Sequence, residues 1–148
     1  MGIYSKKASE YFKQGYNCAQ AVFLAFAPLY NIDEITALKL ASSFGGGMGK
    51  LREVCGAVSA MFAVAGLEKG YTSPNDDNSK GEHYLRIQKL AEIFKSEFGS
   101  IICRELLDLP QGSSAPTPTP RSENFYKERP CAKFIEHASE ILEKEILE

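Results

Sequence analysis

Two stretches constrain this chain more than any other: "NCAQAVFLAFAPLY" from Asn17 and "EVCGAVSAMFAVAGL" from Glu53. Each is apolar nearly all round, so as a helix it has no solvent face and must be enclosed by protein. Each is also well short of the ~20 residues that a membrane span needs. Small residues recur in both (Ala19, Ala21, Ala25, Gly56, Ala57, Ser59, Ala60 and Ala63), which lets neighbouring helices come close. The expectation is an all-α bundle with these two segments as its central pair. At 148 residues the chain is expected to be one domain, residues 1–148. A chain of this size buries roughly 70% of its unfolded surface, enough for a core.

The remaining segments read as helices too, about six to seven in all, and nowhere does apolar and polar alternate at period 2. Ser5 is a candidate cap for a first helix to about Gln14, with Ala8, Tyr11 and Phe12 on one face and Gly15 as its stop. Asn17, with Gln20 three residues on, is close to a capping box for the second helix, which Pro28 ends. Asp33 caps a third, which runs to the glycines. The fourth covers about Glu53 to Leu67, and "KGYTSPNDDNSKG" is a loop by composition. Tyr84, Ile87, Ala91, Phe94 and Phe98 then step by three and four along an amphipathic helix ended by Gly99. Ser100 caps a short helix to about Asp108. The last helix starts near Pro130, its stripe being Cys131, Ile135, Ala138, Leu142 and Ile146. Between them, residues 110–130 form a long Pro-rich connection with no structure of its own. It serves as a lid on a site or merely as a link.

"FGGGMGK" invites comparison with phosphate-binding loops. A Walker A loop would need Gly where Phe44 stands and Ser or Thr where Leu51 stands, and no strand precedes it. The plainer reading is that Gly45, Gly46, Gly47 and Gly49 let the chain turn sharply between packed helices, and let backbone approach something at Cys55.

Cys18, Cys55, Cys103 and Cys131 are 37, 48 and 28 positions apart (55−18, 103−55, 131−103), with no C-x-x-C for a thioredoxin or zinc-ribbon motif. What they share is position. Each falls in the first turn of an expected helix, Cys55 two or three residues in. There, unpaired N–H groups and the helix dipole lower a thiol's pKa and favour thiolate. Arg52, Arg104 and Arg129 each lie within three residues of a cysteine and add to the effect. Helix starts converging on one point would suit a thiolate cluster or an iron–sulfur cluster. The bland alternative is that free Cys is a small buried hydrophobe.

These blocks resemble a known family, the redox-active proteins named C_GCAxxG_C_C. The resemblance rests on "GYNCAQAV" around Cys18, "FGGGMG" followed by "EVCGAVSA" around Cys55, "FGSIICRELL" around Cys103, and the late Cys131. It covers nearly the whole chain, with the blocks in the family's order. Ala60 stands where the family's middle motif typically ends in Gly, and Val54 rather than Gly precedes Cys55. The resemblance implies redox activity, or metal or cluster binding, through Cys18, Cys55, Cys103 and Cys131. It also implies that Gly45, Gly46, Gly47, Gly49 and Gly56 shape the backbone around that site.

Three readings of function stand. The first is electron transfer or redox sensing through an iron–sulfur cluster on the four thiolates. The second is metal-free thiol/disulfide redox or sulfur carriage. The third is a helical module with structural zinc or no metal. His83 and His137, beside Glu82 and Glu136, read as solvated, and so does the Glu-rich end "EILEKEILE". The net charge of −2 with scattered Lys and Arg offers no basic stripe for nucleic acid. The polar start has no signal-peptide core, and Lys6 stands where a myristoylation motif wants Ser or Thr. A cytoplasmic protein with reduced cysteines is expected, with a redox partner protein and no stable membrane insertion. The apolar surplus suits a monomer or a homodimer.

Overall fold

The second helix, α2 (Cys18–Phe26), is set by its cap. Asn17 Oδ1 accepts from Gln20 N at 2.9 Å, and the Gln20 side chain accepts from Asn17 N at 3.1 Å, so two otherwise unpaired donors are satisfied. Seven of its nine residues are buried. It packs against α1 (Ile3–Lys13), α3 (Glu34–Ser42), α5 (Gly56–Lys69) and α9 (Cys131–Glu145). A 3-10 turn over Ala27–Tyr30 carries Pro28 and ends α2 as expected. In α5, Gly56, Ala57, Ala60 and Ala65 are buried beside Val58, Met61 and Val64. The expected central pair is therefore present, with α6 (Asp77–Phe98) and α9 packed on α5.

The computed structural model describes residues 2–148, with 127 and 128 described by backbone alone. Among the described residues there are six α-helices of nine residues or more and no strand, only an isolated antiparallel bridge between Val54 and Ile102. The short helices are α4 (Gly45–Met48), α7 (Cys103–Leu106) and α8 (Glu123–Glu128). No helix is long and apolar enough to cross a membrane.

Several sequence expectations give way to tertiary structure. Ser5 does not cap α1; it is fully buried inside it, and its hydroxyl donates to Glu136 O at 3.2 Å. The α1 donors Tyr4 N and Ser5 N are met instead by Glu143 Oε1 at 3.1 and 3.2 Å. Glu143, in the Glu-rich end, is thus a long-range cap, and Ile141, Leu142 and Ile146 there are buried. Helix α6 begins five residues before the expected start, because Asp76 Oδ1 accepts from Ser79 N inside what reads as a loop. Its buried stripe is His83, Leu90 and Phe94, while Tyr84 is 51% exposed. His83 is not solvated: it is buried, bonded to Arg86 at 2.9 Å, and its pKa is lowered by that burial and by the Arg86 charge. His137 is half-buried against Phe94 and Phe98.

The 110–130 connection does carry structure. Ser122 caps α8, and Arg121 ties the segment down, its guanidinium 4.4 Å from the Phe12 ring and 4.8 Å from the Phe125 ring. Arg121 also donates to Phe12 O at 2.9 Å and Tyr16 O at 3.0 Å.

Candidate functional site

The four cysteines come together. Cys18, Cys103 and Cys131 are the first residues of α2, α7 and α9. Cys55 is the N-cap of α5 and not part of its first turn, because residues 53–55 run alongside 101–103 before the helix begins. Cys55 N donates to Ile101 O at 2.8 Å, and Cys103 N donates to Glu53 O at 2.6 Å. Ser100 does not cap α7; its hydroxyl accepts from Ile102 N at 3.0 Å and donates to Glu105 at 2.6 Å. All four cysteines line a single cavity of about 640 Å³.

Two glycines make this convergence possible. Gly47 has φ +72°, and a Cβ on it would stand 2.5 Å from Cys103 Cβ and 2.8 Å from Arg52 Cα. A Cβ on Gly56 would stand 2.8 Å from Phe44 O and 3.3 Å from Cys18 Cβ, so only Gly lets the start of α5 abut the start of α2. The run folds back on itself through Arg52 N to Gly46 O and Glu53 N to Gly47 O, at 3.3 and 2.9 Å. Met48, Lys50 and Arg52 share its left-handed backbone. Such conformations persist only where surroundings hold them, and here they surround the thiols.

The helix starts do not by themselves make thiolates. Cys55 has the backbone N–H groups of Val58 and Ala57 pulling its pKa down, yet burial wins and pushes it up to about 12. Burial also raises Cys103 against the opposing pull of Arg52, whose NH1 stands 3.6 Å from Cys103 Sγ. Cys131 alone is lowered, first by its interaction with the neighbouring Cys18 thiol, then by Arg129, Arg121 and Arg52 against burial. Cys18 is correspondingly raised, by that same interaction, by burial and by the charge of the other three sulfurs. Desolvation disfavours the charged form, and a polar neighbour or a positive charge favours it; at Cys131 the neighbouring Cys18 and the arginines prevail.

Of the arginines near cysteines in sequence, Arg104 turns away to Glu53 at 2.7 Å and does not line the cavity. Arg52, three residues from Cys55, serves Cys103 instead. Lys50, Arg121 and Ser114 were not visible as site residues. Ser114 accepts from Arg52 Nε at 2.8 Å, and Lys50 Nζ donates to Thr117 O at 2.6 Å. The 110–130 segment thus forms a wall of the cavity, with Pro116, Pro118 and Thr119 among its lining. Neither histidine reaches it.

The sequence profile of the family described as "Putative redox-active protein (C_GCAxxG_C_C)" matches residues 16–145. The chain belongs to this family. No curated protein and no solved structure matches it. In the C_GCAxxG_C_C match lie all four cysteines, the glycine run and the 110–130 wall, so the matched region contains the whole cavity lining except Phe12 and Gly15. Four thiols are the right donors, in kind and number, for an iron–sulfur or zinc centre. As arranged they do not fit one: among the described residues, no group of three or more His, Cys, Asp or Glu side chains could hold a metal ion.

Proposed function

We propose that this protein is a metal-free thiol redox protein whose reacting pair is Cys18 and Cys131. The observation that carries this is that Cys18 and Cys131 open α2 and α9 on one cavity, where their mutual interaction draws the Cys131 pKa down and pushes that of Cys18 up. That division matches an attacking and a resolving cysteine. Cys131 thiolate attacks one sulfur of an external disulfide R–S–S–R′, forming Cys131–S–S–R and releasing R′S⁻. Cys18 then loses its proton to solvent and attacks Cys131 Sγ, releasing RS⁻. Two cysteine thiols are oxidised to one disulfide, and one external disulfide is reduced to two thiols, a two-electron exchange. Resting thiols suit a reducing compartment such as the cytoplasm.

A cluster reading has one observation in its favour: four thiols line the cavity, two more than disulfide exchange uses. It requires Cys18, Cys55, Cys103 and Cys131 to draw into a ligating arrangement. One experiment separates the two. Protein purified without oxygen is analysed for iron, sulfide, zinc and visible absorbance. It is then oxidised with bis(2-hydroxyethyl) disulfide and mapped by peptide mass spectrometry. The expected result is a colourless, metal-free protein that loses two titratable thiols and gains a Cys18–Cys131 linked peptide. Equal thiol counts before and after oxidation, or iron with absorbance bleached by reductant, overturns the reading.

A further inference from the structure

The thiol reading leaves open what kind of disulfide reaches the pair, and the cavity itself bears on this. Cys55, Cys103 and Cys131 are 4, 7 and 7% exposed. Cys18 is half-buried, and with the attacking Cys131 set back in the cavity the site favours a small disulfide that can enter it. The cavity of about 640 Å³ lies in the range of roughly 300–1,000 Å³ that holds small molecules. Its charge is one-sided. Lys50, Arg52, Arg121 and Arg129 line it, and among the described residues no Asp or Glu does, although the chain has more acidic residues than basic ones.

Arg52 is the decisive member of that set. It is 4% exposed and has no carboxylate partner among the described residues. Its side-chain contacts are Ser114 Oγ and Cys103 Sγ, a neutral hydroxyl and a thiol that burial keeps protonated. A buried cation without a counter-charge is costly, and an anion in the cavity would supply one. The like charges of Arg52 and Arg129, after burial, also press down the pKa of Lys50, as expected of cations facing one space. Arg121 is committed to Phe12 O, Tyr16 O and its ring contacts, and so adds charge without offering a free fork.

We propose, resting on the thiol reading, that the oxidant taken into this cavity is a small disulfide bearing carboxylates, bound through Lys50, Arg52 and Arg129 with a sulfur presented to Cys131. As Cys131 attacks, the S–S bond breaks and its electron pair leaves on a thiolate that already carries a carboxylate. Negative charge thus grows in front of fixed cations, which stabilise the transition state more than the ground state. Attack by Cys18 releases the second carboxylated thiolate.

The test compares three disulfides of similar length at pH 7: 3,3′-dithiodipropionate (dianion), bis(2-hydroxyethyl) disulfide (neutral) and cystamine (dication). The rate of Cys18–Cys131 disulfide formation with each is divided by that reagent's rate with free 2-mercaptoethanol. The dianion is expected to exceed the dication by about tenfold or more. Arg129→Gln should narrow the gap, as should Arg52→Gln if its thermal melt shows that it still folds. Equal normalised rates, or a faster dication, overturn the charge proposal and leave the thiol reading standing. If no reagent forms the disulfide, the thiol reading fails, and the anion site is judged separately. The redox-inert dianion 3,3′-thiodipropionate should then slow alkylation of Cys131 by iodoacetamide while neutral 2,2′-thiodiethanol does not, and equal effects of the two refute the site.

Discussion

The cavity has two halves built from the same residue type with opposite results. On one side, Cys18 and Cys131 open α2 and α9 as interacting neighbours, and the Cys131 pKa is drawn down while that of Cys18 is raised. On the other, Cys55 and Cys103 sit on crossing backbone segments joined at the Val54–Ile102 bridge, and both are held as thiols by burial. Cys55 has helix N–H groups pulling on it and Cys103 has a guanidinium at 3.6 Å, yet neither escapes. A helix start is therefore a weak device in a dry site. A neighbouring thiol together with three arginines is a stronger one.

The largest consequence is in reactivity. Each unit of pKa is about a tenfold change in thiolate fraction near neutrality, so Cys131 should far outpace Cys55. In limited alkylation at pH 7, peptide mass spectrometry should find Cys131 modified first and Cys55 last, at least about a hundredfold apart. Cys18→Ala should slow Cys131 by about tenfold, and Cys55→Ala should leave it nearly unchanged. Equal rates at Cys131 in both variants would erase the distinction between the halves.

The second break is mechanical and falls on the other half. Gly47→Ala adds a methyl into Cys103 Cβ and the Arg52 backbone at a φ of +72°. Left-handed strain plus overpacking should cost about 2–4 kcal/mol. Gly49→Ala has φ +60° but nothing nearer than 3.8 Å, so only the strain applies, about 1–2 kcal/mol. Urea titrations of the two variants measure the difference. If Gly49→Ala costs as much as Gly47→Ala, close approach to Cys103 is not why the glycine is there.

These contrasts also show what a sequence can carry. The capping box at Asn17 and Gln20 and the all-apolar pair were legible because their physics is local or follows from composition. So was the placing of Cys18 and Cys131 at helix starts, beside the Asn17 cap and Pro130, whereas Cys55 came out as an N-cap and the Ser100 cap expected before Cys103 does not form. Ser5 misled because its hydroxyl was a plausible cap until Glu143, 138 positions away, met that need. The role of Arg52 was invisible for the same reason: its neighbour in sequence is Cys55, and its partner in space is Cys103. The character of each thiol depended on burial and on the closeness of Cys18 to Cys131, which exist only after the chain has folded.

The smallest effect is on stability against pH, and its sign differs between Cys55 and Cys131. Cys55 has a folded pKa of about 12, above its unfolded value near 9, so the unfolded chain loses this proton first as pH rises. Its contribution is intact below the unfolded pKa and drains away toward the folded one. By pH 10 the loss is about 1 kcal/mol. Cys131 is depressed, so its contribution is present above the unfolded pKa and is lost as pH falls through the folded value. Denaturant titrations of wild type, Cys55→Val and Cys131→Ala from pH 6 to pH 10 should therefore diverge at opposite ends. Cys55→Val flattens the alkaline decline, because it removes a thiol that ionises only on unfolding. Cys131→Ala flattens the rise on the neutral side and, by removing the neighbour that raises Cys18, eases part of the alkaline decline while leaving the Cys55 share in place. Parallel curves for the two variants would mean that the cavity holds its four thiols alike, and the asymmetry on which the redox pair rests would be gone.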